Sequence, residues 1–277
     1  MKLFTIGVAL CLLWGLRGDN LQQRWSPAPL PKAKRAFVVI AHRGDHTNAP
    51  ENTLAALKNA IQIGADYVEV DLRTTKDGHI VNLHDATVDR TTDGKGPVAE
   101  KTLEEVRALK VRDARWPDRK PERIPTFEDI LRIARGRVLL YLDCKEIDPA
   151  RVVALLRKFR MEQSVVVYDD PAGCAAWKKV APHIPVMTSP PREARSVSAL
   201  EQFWRAYPVE ILDGSALFYT PELVAAAKQW GTAVWPDIQN PGENSTQWNR
   251  ALEMGVQGLQ TDHPGALIAY LASIGRR

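Results

Sequence analysis

Glu69 and Asp71 stand two residues apart in the apolar run Val68-Glu69-Val70-Asp71. In an extended strand such residues project from one face, with Cα atoms about 7 Å apart. Two acids at that spacing repel, and burial makes the repulsion costly. A hard divalent cation resolves the conflict, because Ca2+ and Mg2+ prefer carboxylate oxygens. An exposed edge strand, or salt bridges to Arg or Lys, would resolve it too. A second run reads Val138-Leu-Leu-Tyr-Leu-Asp143-Cys-Lys145. Alternation places Asp143 and Lys145 on one face, so Asp143 is a candidate third cation ligand and Lys145 a candidate phosphate contact. Cys144 then faces away, which argues against a thiol nucleophile.

Two histidines accompany the acids. Ala41-His42-Arg43-Gly44 ends a short apolar strand. His42 suits general acid–base work, and the Arg43 guanidinium can grip a phosphate through two hydrogen bonds. His84 follows the turn signal Lys76-Asp77-Gly78. A two-residue turn sets Asp71 opposite His84, and a four-residue turn sets Glu69 opposite it. Both bring His84 to the carboxylate face, whereas a three-residue turn would not. Asp85 is placed to orient the ring of His84 or to cap the following loop.

The elements that must position these residues alternate. Strands are expected at 36–41, 67–72, 80–83, 138–143, 165–168, 185–188, 209–212, 233–238 and 258–261. Helices are expected at 54–63, 102–109, 149–159, 172–180, 198–205, 221–230 and 246–254. Repeated strand–helix units predict an α/β fold, a TIM-type (β/α)8 barrel over residues 36–277, in which strand C-terminal ends carry the site. Nine strands stand where eight are wanted, with 209–212 or one arm of the early hairpin as the extra. Residues 86–124 read as a short polar insertion, its one helix opened by the capping box Thr102-Leu-Glu-Glu105. No glycine-rich dinucleotide loop follows a strand, which weakens the doubly wound alternative.

The chain has 277 residues, a net charge of +4 and 25% charged residues. That modest charge, scattered along the chain, suits a small anionic substrate and gives no case for nucleic acid. Lys2 followed by the apolar run 3–14 reads as an export signal, shorter than the roughly 20 residues of a membrane span. Residues 1–20 are therefore set apart as a signal peptide or N-terminal anchor, the only expected membrane contact, and the protein is expected to be exported. Residues 21–35, with Pro27, Pro29 and Pro31, read as a linker. Export would permit a disulfide between Cys144 and Cys174, although packing as small hydrophobes is the simpler role.

Taken together, His42-Arg43-Gly44, Pro50-Glu51-Asn52-Thr53, Glu69-x-Asp71, Thr75-Lys-Asp-Gly78, His84-Asp85 and Arg90-Thr91-Thr92 resemble the glycerophosphodiester phosphodiesterase family. Ile124-Pro125-Thr126 before a helix, Trp235, Gly255-Val-Gln-Gly258 and Thr261-Asp262-His263-Pro264 extend the likeness over the whole mature chain. The resemblance implies a phospholipase C-like barrel that cleaves glycerophosphodiesters to glycerol 3-phosphate and an alcohol, with Ca2+ or Mg2+ in the site. It makes His42 and His84 the acid–base pair, Glu69, Asp71 and Asp143 metal ligands, and Arg43, Lys145 and Trp235 substrate contacts. Glu51, Asn52 and Asp85 become supporting residues. The third acid of such proteins is usually Glu, so Asp143 departs from the pattern, as does Pro236 after Trp235. The insertion implies a small lid, in which Trp116 packs the loop or covers a headgroup. A lysophospholipase D or sphingomyelinase D-like enzyme, or a binding protein on the same fold, are the alternatives.

Overall fold

The computed structural model describes residues 26–277 apart from Trp116, Asp118 and Arg119. The expected export signal and the Trp116 cover both fall outside the described residues. Strands and helices follow in the order β1 (Val38–Ala41), α1 (Leu54–Ile63), β2 (Tyr67–Thr74), β3 (Ile80–Asn82), α2 (Leu103–Ala108), α3 (Phe127–Ala134), β4 (Leu139–Cys144) and α4 (Pro149–Phe159). They continue with β5 (Val165–Tyr168), α5 (Pro171–Val180), β6 (Val186–Thr188), α6 (Val197–Ala206), β7 (Ile211–Leu212), α7 (Pro221–Gln229), β8 (Ala233–Val234), β9 (Asp237–Ile238), α8 (Ser245–Met254), β10 (Gly258–Thr261) and α9 (Pro264–Ser273).

Local chemistry explains many of the boundaries. The Thr53 hydroxyl accepts the Ala56 N–H at the start of α1, and Gly64 ends that helix at φ 82°, the left-handed conformation that glycine adopts without cost. Asp148 and Asp170 cap α4 and α5, each followed by Pro in the first turn, where a missing N–H loses nothing. The C-terminal helix α9 lacks such a signal. His263 makes no side-chain cap, and Pro264-Gly265 reads as a turn, so this helix is absent from the expected elements.

The strands run β8-β7-β6-β5-β4-β2-β1-β10-β9 around one sheet, and every neighbouring pair on that path is parallel. The expected strand 233–238 is broken at Trp235-Pro236. Its first half pairs with β7 and its second with β10, which closes the sheet into a barrel. Pro236 has no N–H to give, and its carbonyl accepts from Gln260 N–H at 3.0 Å, so the break leaves the closure intact. The surplus strand is β3, which pairs antiparallel to β2 outside the barrel path.

Period-two alternation divides each barrel strand between two cores. Outward residues such as Val39, Val68, Leu140 and Leu142 pack under the helices. Inward residues Val38, Ile40, Tyr67, Tyr141, Val166, Met187, Ile211 and Trp235 fill the lumen. Continuing the inward series toward the C-terminal ends gives Ile40 then His42, Tyr67 then Glu69 and Asp71, and Tyr141 then Asp143 and Lys145. One alternation therefore builds an apolar floor and a polar mouth. Cys144 and Cys174 are free and buried in the outer core, as expected of small hydrophobes.

Residues 26–35 have no regular structure, yet they are tied to the barrel. Ala28 N–H donates to Glu210 Oε1 at 2.8 Å, and Arg35 pairs with Asp66 at 3.2 Å. Residues 86–124 add a satellite core of their own: Val88, Val98, Val106, Val111 and Ile124 pack on Val81 and Leu83.

Candidate active site

The turn after β1 is built from uncommon backbone. Arg43 and Asn52 hold φ of 52° and 57°, a conformation that costs a non-glycine residue about 1–2 kcal/mol. Gly44, at φ 83°, passes so close to α1 that a Cβ would lie 2.7 Å from the Ala56 carbonyl carbon. Several bonds hold this shape in place. Arg43 N–H donates to Glu69 Oε2 at 2.7 Å, and Asn52 N–H to the Arg43 carbonyl at 3.0 Å. The Asn52 amide donates to Asp71 Oδ2 at 2.7 Å. The Arg43 guanidinium reaches Glu51 at 2.9 Å and Asp71 at 3.6 Å. His-Arg-Gly and Glu-Asn are thus two halves of one cradle around the acids of β2.

Those acids converge with a third. Asp71 and Asp143 are register partners on the parallel pair β2–β4, and oxygens of Glu69, Asp71 and Asp143 lie within 4.8 Å of one another. Glu69 and Asp71 are 2% and 1% exposed, so water does little to screen them. Lys145 Nζ lies 2.6 Å from Asp143 and 3.2 Å from Asp71. Three carboxylates therefore face one ammonium and one guanidinium, which is itself shared with Glu51. Burial, then the charges of Asp71 and Asp143, push the Glu69 carboxyl well up. Burial also works upward on Asp71, but Lys145, Arg43 and His84 outweigh it and hold that carboxyl below its ordinary value. Asp143 is raised, by burial first and despite Lys145. A group of buried acids with surplus negative charge fits a hard divalent cation.

His84 reaches the site by a route other than the expected one. The β2–β3 register pairs Leu72 with Asn82 and Thr74 with Ile80, and the Thr75 N–H bonds to the His79 carbonyl. The turn therefore spans three residues, 76–78, rather than two or four. The Thr75 hydroxyl, which donates to Asp77 at 2.7 Å and accepts the His79 N–H at 2.9 Å, stabilises that loop. This register would turn His84 from the acids if the ladder continued, but β3 ends at Asn82 and the chain bends back. The charge of His84 is felt at both Asp71 and Asp143. Asn82 takes the ladder position instead: its Oδ1 accepts Asp71 N–H at 2.9 Å, and its amide donates to the Asn52 carbonyl at 3.1 Å.

Each imidazole has an aspartate at Nδ1. His84 meets Asp85 at 2.8 Å, and Arg90 clamps Asp85 to Glu51. His42 meets Asp262 at 2.6 Å, because the β1–β10 register that pairs Ala41 with Thr261 brings the next residues side by side. His46 Nε2 also reaches Asp262 Oδ1, at 3.0 Å. Burial raises the Asp262 carboxyl, but its bonds to His42 and His46 prevail and hold it far below the usual range. With an anionic acceptor at Nδ1, each ring keeps a proton there, and Nε2 is the nitrogen left to exchange protons with a substrate.

His46, Asp262, Asn82 and Arg90 were given no role by the reading of the sequence. Asp262 and Arg90 belong to the Thr261-Asp262-His263-Pro264 and Arg90-Thr91-Thr92 motifs, which is their signal in the sequence; His46 and Asn82 carry none. Trp235, expected as a substrate contact, lies deeper. It is 3% exposed within the lumen, its ring 5.1 Å from Tyr67 and close against Gly258. In this position it packs the barrel lumen beneath the polar mouth.

Residues 42–266 match the glycerophosphoryl diester phosphodiesterase family. The chain belongs to this family. Its members include a glycerophosphodiester phosphodiesterase of Caldanaerobacter subterraneus, 32% identical over 245 residues that cover 83% of this chain and 96% of that one. The crystal structure of glycerophosphodiester phosphodiesterase from Agrobacterium tumefaciens superposes with a TM-score of 0.73 at 28% identity, covering 84% of this chain and 99% of that one. A phosphodiesterase of Oleispira antarctica, solved with the product sn-glycerol-3-phosphate, shares the fold with a TM-score of 0.71 at 23% identity, over 85% and 96% of the two chains. This family member is therefore an enzyme of the phosphodiesterase class on a TIM-type barrel.

Proposed function

We propose that the chain hydrolyses glycerophosphodiesters to glycerol 3-phosphate and an alcohol, with a divalent cation, Ca2+ or Mg2+, held by Glu69, Asp71 and Asp143. The observation that carries this reading is the convergence of those three carboxylates beside Arg43 and Lys145. When bound, the cation would supply positive charge to the phosphoryl oxygens. Arg43 and Lys145 bind and orient the phosphate through charge-assisted hydrogen bonds. His42, held by Asp262, takes the proton of a glycerol hydroxyl at Nε2 as that oxygen attacks phosphorus. His84, held by Asp85, gives a proton to the departing alcohol. Water then opens the resulting cyclic phosphate with the histidine roles reversed, which restores both rings. Glu51 and Asn52 keep Arg43 and Asp71 in position. The substrate is a small molecule, and from the expected export signal we propose that the reaction runs outside the cytoplasm, which fractionation of cells expressing the full chain would check.

The test is turnover of glycerophosphocholine and lysophosphatidylcholine side by side, by wild type and His42→Ala. Release of glycerol 3-phosphate by wild type and its loss in the variant are expected. Unchanged activity in His42→Ala would remove His42 from the chemistry, and turnover of lysophosphatidylcholine alone would move the enzyme to the lipid-cleaving alternative.

A further inference from the structure

His46 has no part in the reaction above, yet it lies in a compact cluster of nitrogen and oxygen ligand atoms. Asp262 Oδ1 is 2.6 Å from His42 Nδ1 and 3.0 Å from His46 Nε2, and the three donor atoms all lie within 4.8 Å of one another. The two rings stand edge to face, centroids 6.1 Å apart, so both present a nitrogen to the same carboxylate oxygen. The side chains are 12%, 17% and 23% exposed, sheltered but open to an entering ion. Asp237 nearby adds negative field, since it and Asp262 feel one another's charge.

We infer that His42, His46 and Asp262 form a second metal site, selective for a borderline cation of the Zn2+ type, whose occupancy switches the enzyme off. This rests on the reading of His42 as a catalytic base. The donor set decides the selectivity. Two imidazoles and one carboxylate suit Zn2+, with Zn–N near 2.0–2.1 Å and Zn–O near 2.0–2.2 Å, whereas the all-oxygen set of Glu69, Asp71 and Asp143 suits Ca2+ or Mg2+. Tetrahedral bonds of that length put neighbouring donors about 3.4 Å apart. The observed separations from Asp262 therefore need to open by less than about 1 Å, within the reach of side-chain rotation. Three protein ligands leave the fourth position to water. Binding takes the Nδ1 lone pair of His42, moves the ring's proton from Nδ1 to Nε2, where it blocks the basic nitrogen, and breaks the hydrogen bond to Asp262. The ring is then fixed to an ion and can no longer cycle a proton at Nε2 in its working orientation. A cation in the oxygen site and one in this site thus have opposite effects.

The experiment uses the full chain with its oxygen site saturated by Ca2+ or Mg2+, into which Zn2+ is titrated, and a parallel sample titrated with Co2+ as a spectroscopic stand-in. Zn2+ is expected to abolish glycerol 3-phosphate release. His46→Ala, which lies on a partly exposed loop, should keep basal activity within about twofold and raise the Zn2+ needed for half-inhibition by roughly a hundredfold. Wild type with Co2+ should develop the strong visible absorption of a tetrahedral, imidazole-ligated ion, and His46→Ala and His46→Gln should lose it. A wild type without that spectrum, or a His46→Ala variant that keeps it or keeps the wild-type Zn2+ sensitivity, would overturn the site. Absence of glycerophosphodiester turnover with the Co2+ spectrum present would overturn the proposed function and the inhibitory role, while leaving the metal site standing.

Discussion

The barrel end that carries His42 and the hairpin loop that carries His84 meet one requirement with unlike materials. Both rings present Nδ1 to an aspartate, at 2.6 and 2.8 Å. His42 directly follows β1 of the closed sheet, 12% exposed, and its aspartate directly follows β10, 220 residues away. His84 sits past the end of a three-residue strand, 38% exposed, and its aspartate is the next residue. The first geometry is held by β-sheet register, the second by a chain of ion pairs from Asp85 through Arg90 to Glu51. Surface ion pairs contribute little individually and weaken with salt, whereas sheet register yields only when the barrel opens. His84 should therefore be the tunable histidine and His42 the fixed one.

Replacing the rings themselves should have the largest effect. His42→Ala and His84→Ala are each expected to lower kcat by about a thousandfold or more, the scale of a lost general acid or base. A variant that retained its rate would break the pairing. Replacing the aspartates separates the two regions. Asp262→Asn should lower kcat by about a hundredfold, because it removes the orienting anion from a ring with no substitute, as in related triads. Asp85→Asn should cost about tenfold, since Arg90 and Glu51 still brace the loop. Equal losses would mean that depth in the fold is irrelevant. Salt sharpens the contrast further. Raising ionic strength should lower the activity of Arg90→Lys more than that of wild type, by a few-fold, because lysine cannot clamp two carboxylates at once.

The smallest expected effect lies outside both regions. Asp213, beyond β7, is pushed up to about 7 from an ordinary 3.8 by burial first and then by Asp237. Between those values the folded state holds the proton more tightly than the unfolded one, so this group's contribution to stability is present at low pH and fades as pH rises toward 7. Asp213→Asn should flatten that part of the Tm profile between pH 4 and 7.

The same contrast explains what could be read in advance. Helix α1 and its cap at Thr53 and stop at Gly64, the capping box of α2, and strands such as β5 and β10 follow from period and local chemistry, which lie wholly in neighbouring residues. Alternation alone places Asp143 and Lys145 on one side of β4, with Asp143 beside Asp71 only once the register is known. The hairpin register was not legible, because it depends on how the Thr75 hydroxyl closes a three-residue loop. Asp262 was legible as part of a motif but not as the partner of His42, since that contact needs β1 and β10 to be neighbours in a closed barrel. His46 offered no signal at all: a histidine in a polar loop acquires meaning only from what faces it.

The central claim is that the buried acids Glu69, Asp71 and Asp143 require a hard cation for glycerophosphodiester hydrolysis. Chelator-stripped protein, assayed for glycerol 3-phosphate release from glycerophosphocholine with Ca2+, Mg2+, Mn2+ or Zn2+ added back singly, tests it directly. Activity should be absent after stripping, return with Ca2+ or Mg2+, and in Asp71→Asn require roughly a hundredfold more cation. Full activity in the stripped protein, or none with any of the four cations, would contradict it.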